Sequence, residues 1–126
     1  MRTPARPGTA HVWVLLLLAA TALGLPGCSG APQPGEIPGE EGDFHRAERI
    51  YRQGRYLQAV EALDAYRNEH PGSDRIDDAI FLLGMSHQKQ GENLLARDEF
   101  DRILRDYPQS THHEEAQYER ALAWLG

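Results

Sequence analysis

A chain that copies itself at a fixed short spacing is constrained to fold as a stack of like units, and this one copies itself every 37 residues. At that step Gly54 falls on Gly91, Leu57 on Leu94, Ala59 on Ala96, Asp64 on Asp101, Pro71 on Pro108, Ser73 on Ser110 and Ala79 on Ala116. Conservative matches fill the gaps: Leu63 with Phe100, Tyr66 with Ile103, Phe81 with Tyr118, Met85 with Leu122. A period between about 20 and 50 residues predicts a solenoid of small units, each burying its apolar face against the next.

Inside each unit the apolar residues are spaced three and four apart, which is a helical stripe rather than strand alternation. The pattern predicts five helices: residues 43–53, 56–69, a third running to Gln90, 94–107 and 112–125. Gly54 and Gly91 break the first turn of each unit. Pro71 and Pro108 end the second helix, because proline disfavours helix at the residue before it. Ser73 or Asp74 is the expected cap of the third helix, and Thr111 with Glu114 reads as a capping box for the fifth. Small residues recur at one point of the first helix of each unit (Ala47, Gly84, Ala121) and early in the second (Ala59, Ala96). Close approach of the two helices is expected there, with Leu63 and Phe100 filling the space beyond. The expected fold is all-α, a short solenoid in the order A-B-A-B-A, over residues 43–126. Its last A helix lacks a B partner and is apolar through Leu122, Trp124 and Leu125, so it either caps the second hairpin or offers a face to another protein. Two and a half units predict marginal stability alone, since such arrays usually need about three.

The leading residues read as delivery. Arg2 and Arg6 precede an almost wholly apolar run over residues 12–25, the pattern of a secretory signal and too short for a spanning helix of about 20 residues. An uncleaved signal anchor, or cleavage after Ala22, are the competing readings. Leu25-Pro26-Gly27-Cys28 resembles the lipobox of bacterial lipoproteins, with Pro26 departing from the usual small residue. Cys28 is the single cysteine of the chain, so no intramolecular disulfide can form. The resemblance makes residues 1–27 a signal peptide and Cys28 the acylated N-terminus. Ser29 after it implies sorting to the outer membrane, facing the periplasm, with palmitate among the attached acyl groups. Residues 28–42, rich in Pro, Gly and Glu, are expected to form a disordered tether.

Beyond residue 27 the chain holds 11 Lys and Arg against 19 Asp and Glu. That balance argues against a nucleic-acid partner, which needs clustered cations. No catalytic constellation stands out: Ser86 lacks a glycine elbow, and the other body hydroxyls sit at expected caps. Adjacent His112 and His113 point about 100° apart on a helix and cannot share one ion unaided. The expectation is therefore no enzyme, no cofactor, no metal and no small-molecule substrate. The remote alternative is a metal-dependent or hydrolytic envelope enzyme. Arg46, Arg49, Arg52 and Arg55 recur every third position on the first helix, and Arg52 aligns with Lys89. They read either as a solvated, charge-balanced face or as a basic strip for an acidic partner segment.

On the same helix hairpin stand a small residue, a glycine seven on, an alanine five further, a large apolar residue four further and a proline eight beyond. The first run is Ala47, Gly54, Ala59, Leu63, Pro71, and the second is Gly84, Gly91, Ala96, Phe100, Pro108. This pattern resembles the tetratricopeptide repeat, with the longer period placed in the turn after each proline. The turns His70-Pro71-Gly72-Ser73 and Tyr107-Pro108-Gln109-Ser110 look like the BamD-like subgroup of bacterial envelope lipoproteins, whose members carry about twice as many units. The resemblance implies a protein–protein interaction scaffold of the cell envelope, serving outer-membrane protein assembly or alternatively acting as a pilotin or secretion-system adaptor. It also implies a peptide-binding groove on the A helices. The matching positions are Phe44, Glu48, Tyr51 and Arg52, then Phe81, Met85, Gln88 and Lys89, then Tyr118, Leu122 and Leu125. The repeated aromatics are expected to take apolar anchors, unless they are ordinary core, and Arg52 and Lys89 a carboxylate. The carboxylate-clamp variant is not expected, since Leu82 and His45 stand where its asparagine would fall.

Overall fold

A computed structural model describes residues 38–125. Five α-helices make up this span: α1 (Glu40–Arg52), α2 (Tyr56–Glu69), α3 (Ile76–Lys89), α4 (Asn93–Asp106) and α5 (His113–Leu125). No helix among the described residues is long and apolar enough to cross a membrane. The leader, Cys28 and most of the tether lie outside the described residues.

The first helix begins at Glu40, three residues ahead of the expected start at residue 43, so the end of the expected tether is helical. Glu40, Glu41 and Asp43 occupy its first turn, where the helix dipole favours negative charge, and Gly42 is buried there. The A-to-B turns form as the glycines require. Gly54 and Gly91 stand at φ 75° and 77°, where an L side chain is strained. Gly54 N–H donates to Tyr51 O at 2.9 Å and Arg55 N–H to Ile50 O at 3.3 Å. Gly91 N–H donates to Gln88 O at 3.0 Å and Glu92 N–H to His87 O at 2.9 Å. Both are the paired helix-ending bonds of a Schellman turn, which satisfy the last carbonyls of α1 and α3.

The B-to-A turns differ from expectation in their caps. Ser110, not Thr111, meets the turn before α5, its Oγ accepting His112 N–H at 3.1 Å. Ser73 Oγ, three residues before α3 starts, likewise accepts Arg75 N–H at 3.0 Å. The serines, 37 apart, therefore close the turn ahead of each helix rather than cap its first residue. Ser73 Oγ also shares a hydrogen bond with the buried Tyr66 hydroxyl, tying α2 to the turn that follows it.

Each helix packs on the next in sequence, and α3 also touches α1 and α5, while the backbones of α2 and α4 stay apart. The A helices thus line the inner side of the stack and the B helices the outer. The core divides accordingly. One cluster is Phe44, Ala47, Ala59, Leu63, Tyr66, Ala79 and Leu83; the other contains Ile76, Ile80, Phe81, Ala96, Phe100, Ile103, Ala116 and Ala123. Helix α3 contributes to both and is the most buried of the five, which is what a central layer must be. Its buried Ser86 satisfies its hydroxyl on Leu82 O at 2.7 Å. The small-residue seats are used as expected in the first two units. At the second, a Cβ on Gly84 would lie 2.6 Å from Cε1 of the fully buried Phe100 ring.

Candidate functional site

The junctions between units show a construction that the sequence pattern had hidden. Arg75, in the turn before α3, places its guanidinium carbon 4.1 Å from the centre of the Phe44 ring. Its Nη1 lies 3.3 Å from Glu41 and its Nε 2.7 Å from Asp78. One unit further on, His112 lies flat on Phe81, with ring centres 4.3 Å apart and planes 6° from parallel. Its Nε2 is 2.7 Å from the other oxygen of Asp78. In both junctions a basic side chain covers the aromatic of the preceding unit and bonds a carboxylate in the first turn of that unit's A helix. Cation–π and charge-assisted contacts of this kind contribute roughly 0.5–2 kcal/mol each when partly desolvated.

This row of side chains frames a pocket of about 290 Å³ on the A-helix side, lined by Phe44, Glu48, Arg75, Asp78, Phe81, Leu82 and His112. That volume stands at the lower edge of small-molecule sites, about 300 Å³ upward, and also admits a single bulky side chain. Its charged groups are engaged with one another: Glu48 holds Arg52 at 2.6 Å, and Asp78 holds Arg75 and His112. Phe44, Phe81 and Leu82 supply the apolar lining.

The expected groove residues fall into three groups. Phe44 and Phe81 are core, 1% and 7% exposed, and touch the pocket from beneath their basic lids. Of the two readings open for the repeated aromatics, ordinary core describes the burial of Phe44 and Phe81. Tyr51 and Met85 are half-buried against the two core clusters. Burial pushes the Tyr51 phenol up from its ordinary value, followed by Tyr56 and then by the carboxylates of Glu119 and Glu115. The third group is exposed: Arg52, Lys89, Tyr118 and Leu122. Neither cation lines this pocket, and Arg52 is bound to Glu48. Along the basic strip Arg46 is balanced by Asp43 and Arg52 by Glu48, while Arg55, just past α1, donates to the neutral Gln58. Cys28 lies outside the described residues.

Sequence reasoning missed Arg75, Asp78 and His112. The signal was present, since Arg75 and His112 are 37 apart, as are Glu41, Asp78 and Glu115. Arg and His differ in type, which concealed the correspondence. His70 lies near Asp43 and Glu69, the three offering ligand atoms within 4.8 Å of one another. Asp43 already contacts both Arg46, at 2.9 Å, and His70, at 3.1 Å, so ion pairing accounts for the grouping.

No curated protein matches the chain. The family model named YfiO, described as an outer membrane lipoprotein, matches residues 40–126, from the first residue of α1 through α5. With the five-helix repeat body and the match covering more than half of the sequence, the chain belongs to the YfiO family of outer membrane lipoproteins.

Proposed function

We propose that this protein is a protein–protein interaction scaffold of the bacterial cell envelope, not an enzyme, and that it serves outer-membrane protein assembly. Acylated Cys28 anchors it in the outer membrane facing the periplasm. The A-helix pocket receives an apolar side chain from a segment of the partner. The observation that carries this reading is the coincidence of two things: a family match spanning the whole helical body, and a one-side-chain apolar pocket on the inner face of that body. Arg75, Asp78 and His112 are committed to holding units together and Glu48 to Arg52 of its own helix, which leaves apolar contact as the pocket's means of recognition.

Photo-crosslinking in intact cells tests this. A photoreactive residue replacing Leu82, at the pocket, is expected to give adducts with a small set of envelope proteins, and these should disappear in the Cys28→Ser background. The same group at Ala65, on the exposed side of α2, should not give them. Identical adducts from both positions would remove the pocket from the mechanism.

A further inference from the structure

Helices joined by short turns give the stack two unlike ends. At one of them α1 and α3 finish and α2 and α4 begin, around the turns of Gly54 and Gly91. A helix dipole favours acids at its N-terminus. The A helices follow this, with Glu41 and Asp43 in the first turn of α1 and Asp77 and Asp78 in that of α3. The B helices do not: neither α2 nor α4 has an acid in its first turn. The second residue of each is instead a leucine, Leu57 and Leu94, 63% and 67% exposed. The two B helices run close enough for Arg67 of α2 to bond Glu99 of α4 at 3.1 Å. The exposed cations Arg52, Arg55 and Lys89 stand at the same end, in the last turns of α1 and α3 and in the turn between α1 and α2. Glu92, in the turn between α3 and α4, is held by His87 at 2.7 Å. A lone exposed leucine is ordinary surface. These two recur at one register, and Leu57 stays exposed with the following unit in place, so the exposure belongs to the unit and not to its position in the array.

We propose that this end of the stack rests on an anionic lipid surface. Leu57 and Leu94 enter the boundary between headgroups and acyl chains, and Arg52, Arg55 and Lys89 meet the lipid phosphates. A fluid surface closes around separate side chains one unit apart, whereas a protein interface needs a contiguous fitted patch. A lipid surface is at hand for a member of a family of outer membrane lipoproteins. Exposed Glu61 and Asp98 stand one turn beyond the leucines on the same faces and limit the contact to the first turn of each B helix. Phe44, Asp78 and Phe81 lie in the first halves of α1 and α3, so the pocket they line stays clear of the bilayer. An anchor at Cys28 permits this posture although α1 starts at the far end. Eleven residues separate Cys28 from Glu40, a reach of up to about 40 Å, against roughly 20 Å for the length of α1.

The test reconstitutes the full chain into vesicles of phosphatidylcholine, alone or mixed with phosphatidylglycerol. Acylated Cys28 or the apolar run over residues 12–25 holds it there, so the outcome does not turn on which of them is the anchor. A fluorescent residue with environment-sensitive emission replaces Leu57, Leu94 or, as the control, exposed Ala65 further along α2. In anionic vesicles positions 57 and 94 should shift to the blue and be quenched by lipids brominated on their acyl chains, and position 65 should not. High salt should abolish the quenching, as should Arg55→Glu combined with Lys89→Glu, with the melting curve unchanged. Leu94→Asp, which supplies the acid that a helix N-terminus favours and so keeps the fold, should weaken the quenching at position 57. Equal, water-like emission at all three positions in anionic vesicles would overturn the proposal. Quenching as strong in phosphatidylcholine alone, or indifferent to the Arg55 and Lys89 changes, would do so too. A blue shift that grows with protein density at fixed lipid would assign this end to a second copy instead.

Discussion

The two filled seats solve one packing problem with different pairs, Ala47 with Leu63 and Gly84 with Phe100, and this makes a quantitative prediction. A methyl group on Gly84 would stand 2.6, 2.9 and 3.0 Å from three carbons of a ring that is fully buried and cannot step aside. Overpacking of that kind costs about 1–3 kcal/mol. Replacing glycine by alanine inside a helix returns about 1 kcal/mol. Gly84→Ala should therefore destabilise by roughly 1 kcal/mol net, where an exposed helix position would gain. Phe100→Leu alone should cost about 1–2 kcal/mol, a fraction of the 3–5 for complete truncation of a buried Phe. The double variant reproduces the pair of the first unit. It should recover most of the loss, with a favourable coupling of about 1–2 kcal/mol in the double-mutant cycle. Urea titrations followed by far-UV circular dichroism measure all four corners. In thermal melts the recovered stability corresponds to about 4–8 °C per kcal/mol for a body of this size. Additivity of the two single changes, within about 0.5 kcal/mol, would refute the idea that the seats are equivalent.

Three further outcomes follow from the same structure. Gly91→Ala should cost about 1 kcal/mol or more in the same titrations, because position 91 sits at φ 77° and closes the last turn of α3. The Tyr66 phenol is pushed up from its ordinary value of 10.0, chiefly by burial, with the Ser73 hydrogen bond pulling the other way. A raised folded-state pKa means stability that is complete below pH 10 and is lost as pH climbs through the folded value. Alkaline unfolding should thus begin just above pH 10, and Tyr66→Phe should flatten that limb while costing about 1 kcal/mol at neutral pH through its orphaned Ser73 partner. Cys28→Ser should move the protein from the detergent phase to the aqueous phase in phase partitioning; retention in the detergent phase would show that the anchor is not Cys28.

How much of this could be read in the sequence depends on what repetition records. The helix count and hairpin register were legible because Gly54 and Gly91, Ala59 and Ala96, and Pro71 and Pro108 each answer a local backbone or packing demand that residue type alone expresses. The start of α1 was obscured because Pro38 and Gly39 extend a tether-like composition up to Glu40. The acids of the first turn were the better guide there. Thr111 and Glu114 matched a capping signature, but the turn is closed by Ser110, which its 37-residue counterpart Ser73 had indicated. The aromatics show the deeper difficulty. Phe44, Phe81 and Tyr118 repeat as one pattern, yet two are core and one is exposed. What separates them is whether a basic residue from the next unit lies on top, and periodicity does not encode the neighbour. Arg75 and His112 do that covering by different chemistry, one a cation over a ring and the other a stacked imidazole.

Asp78 sits in the middle unit but answers to both seams: one oxygen meets Arg75, whose guanidinium grips α1, and the other meets His112, at the head of α5. Linear stacks ordinarily fray from an end, each layer sensing only its neighbour. A carboxylate shared in this way ties the fate of the two outer layers together. Loosening one seam should therefore loosen the other.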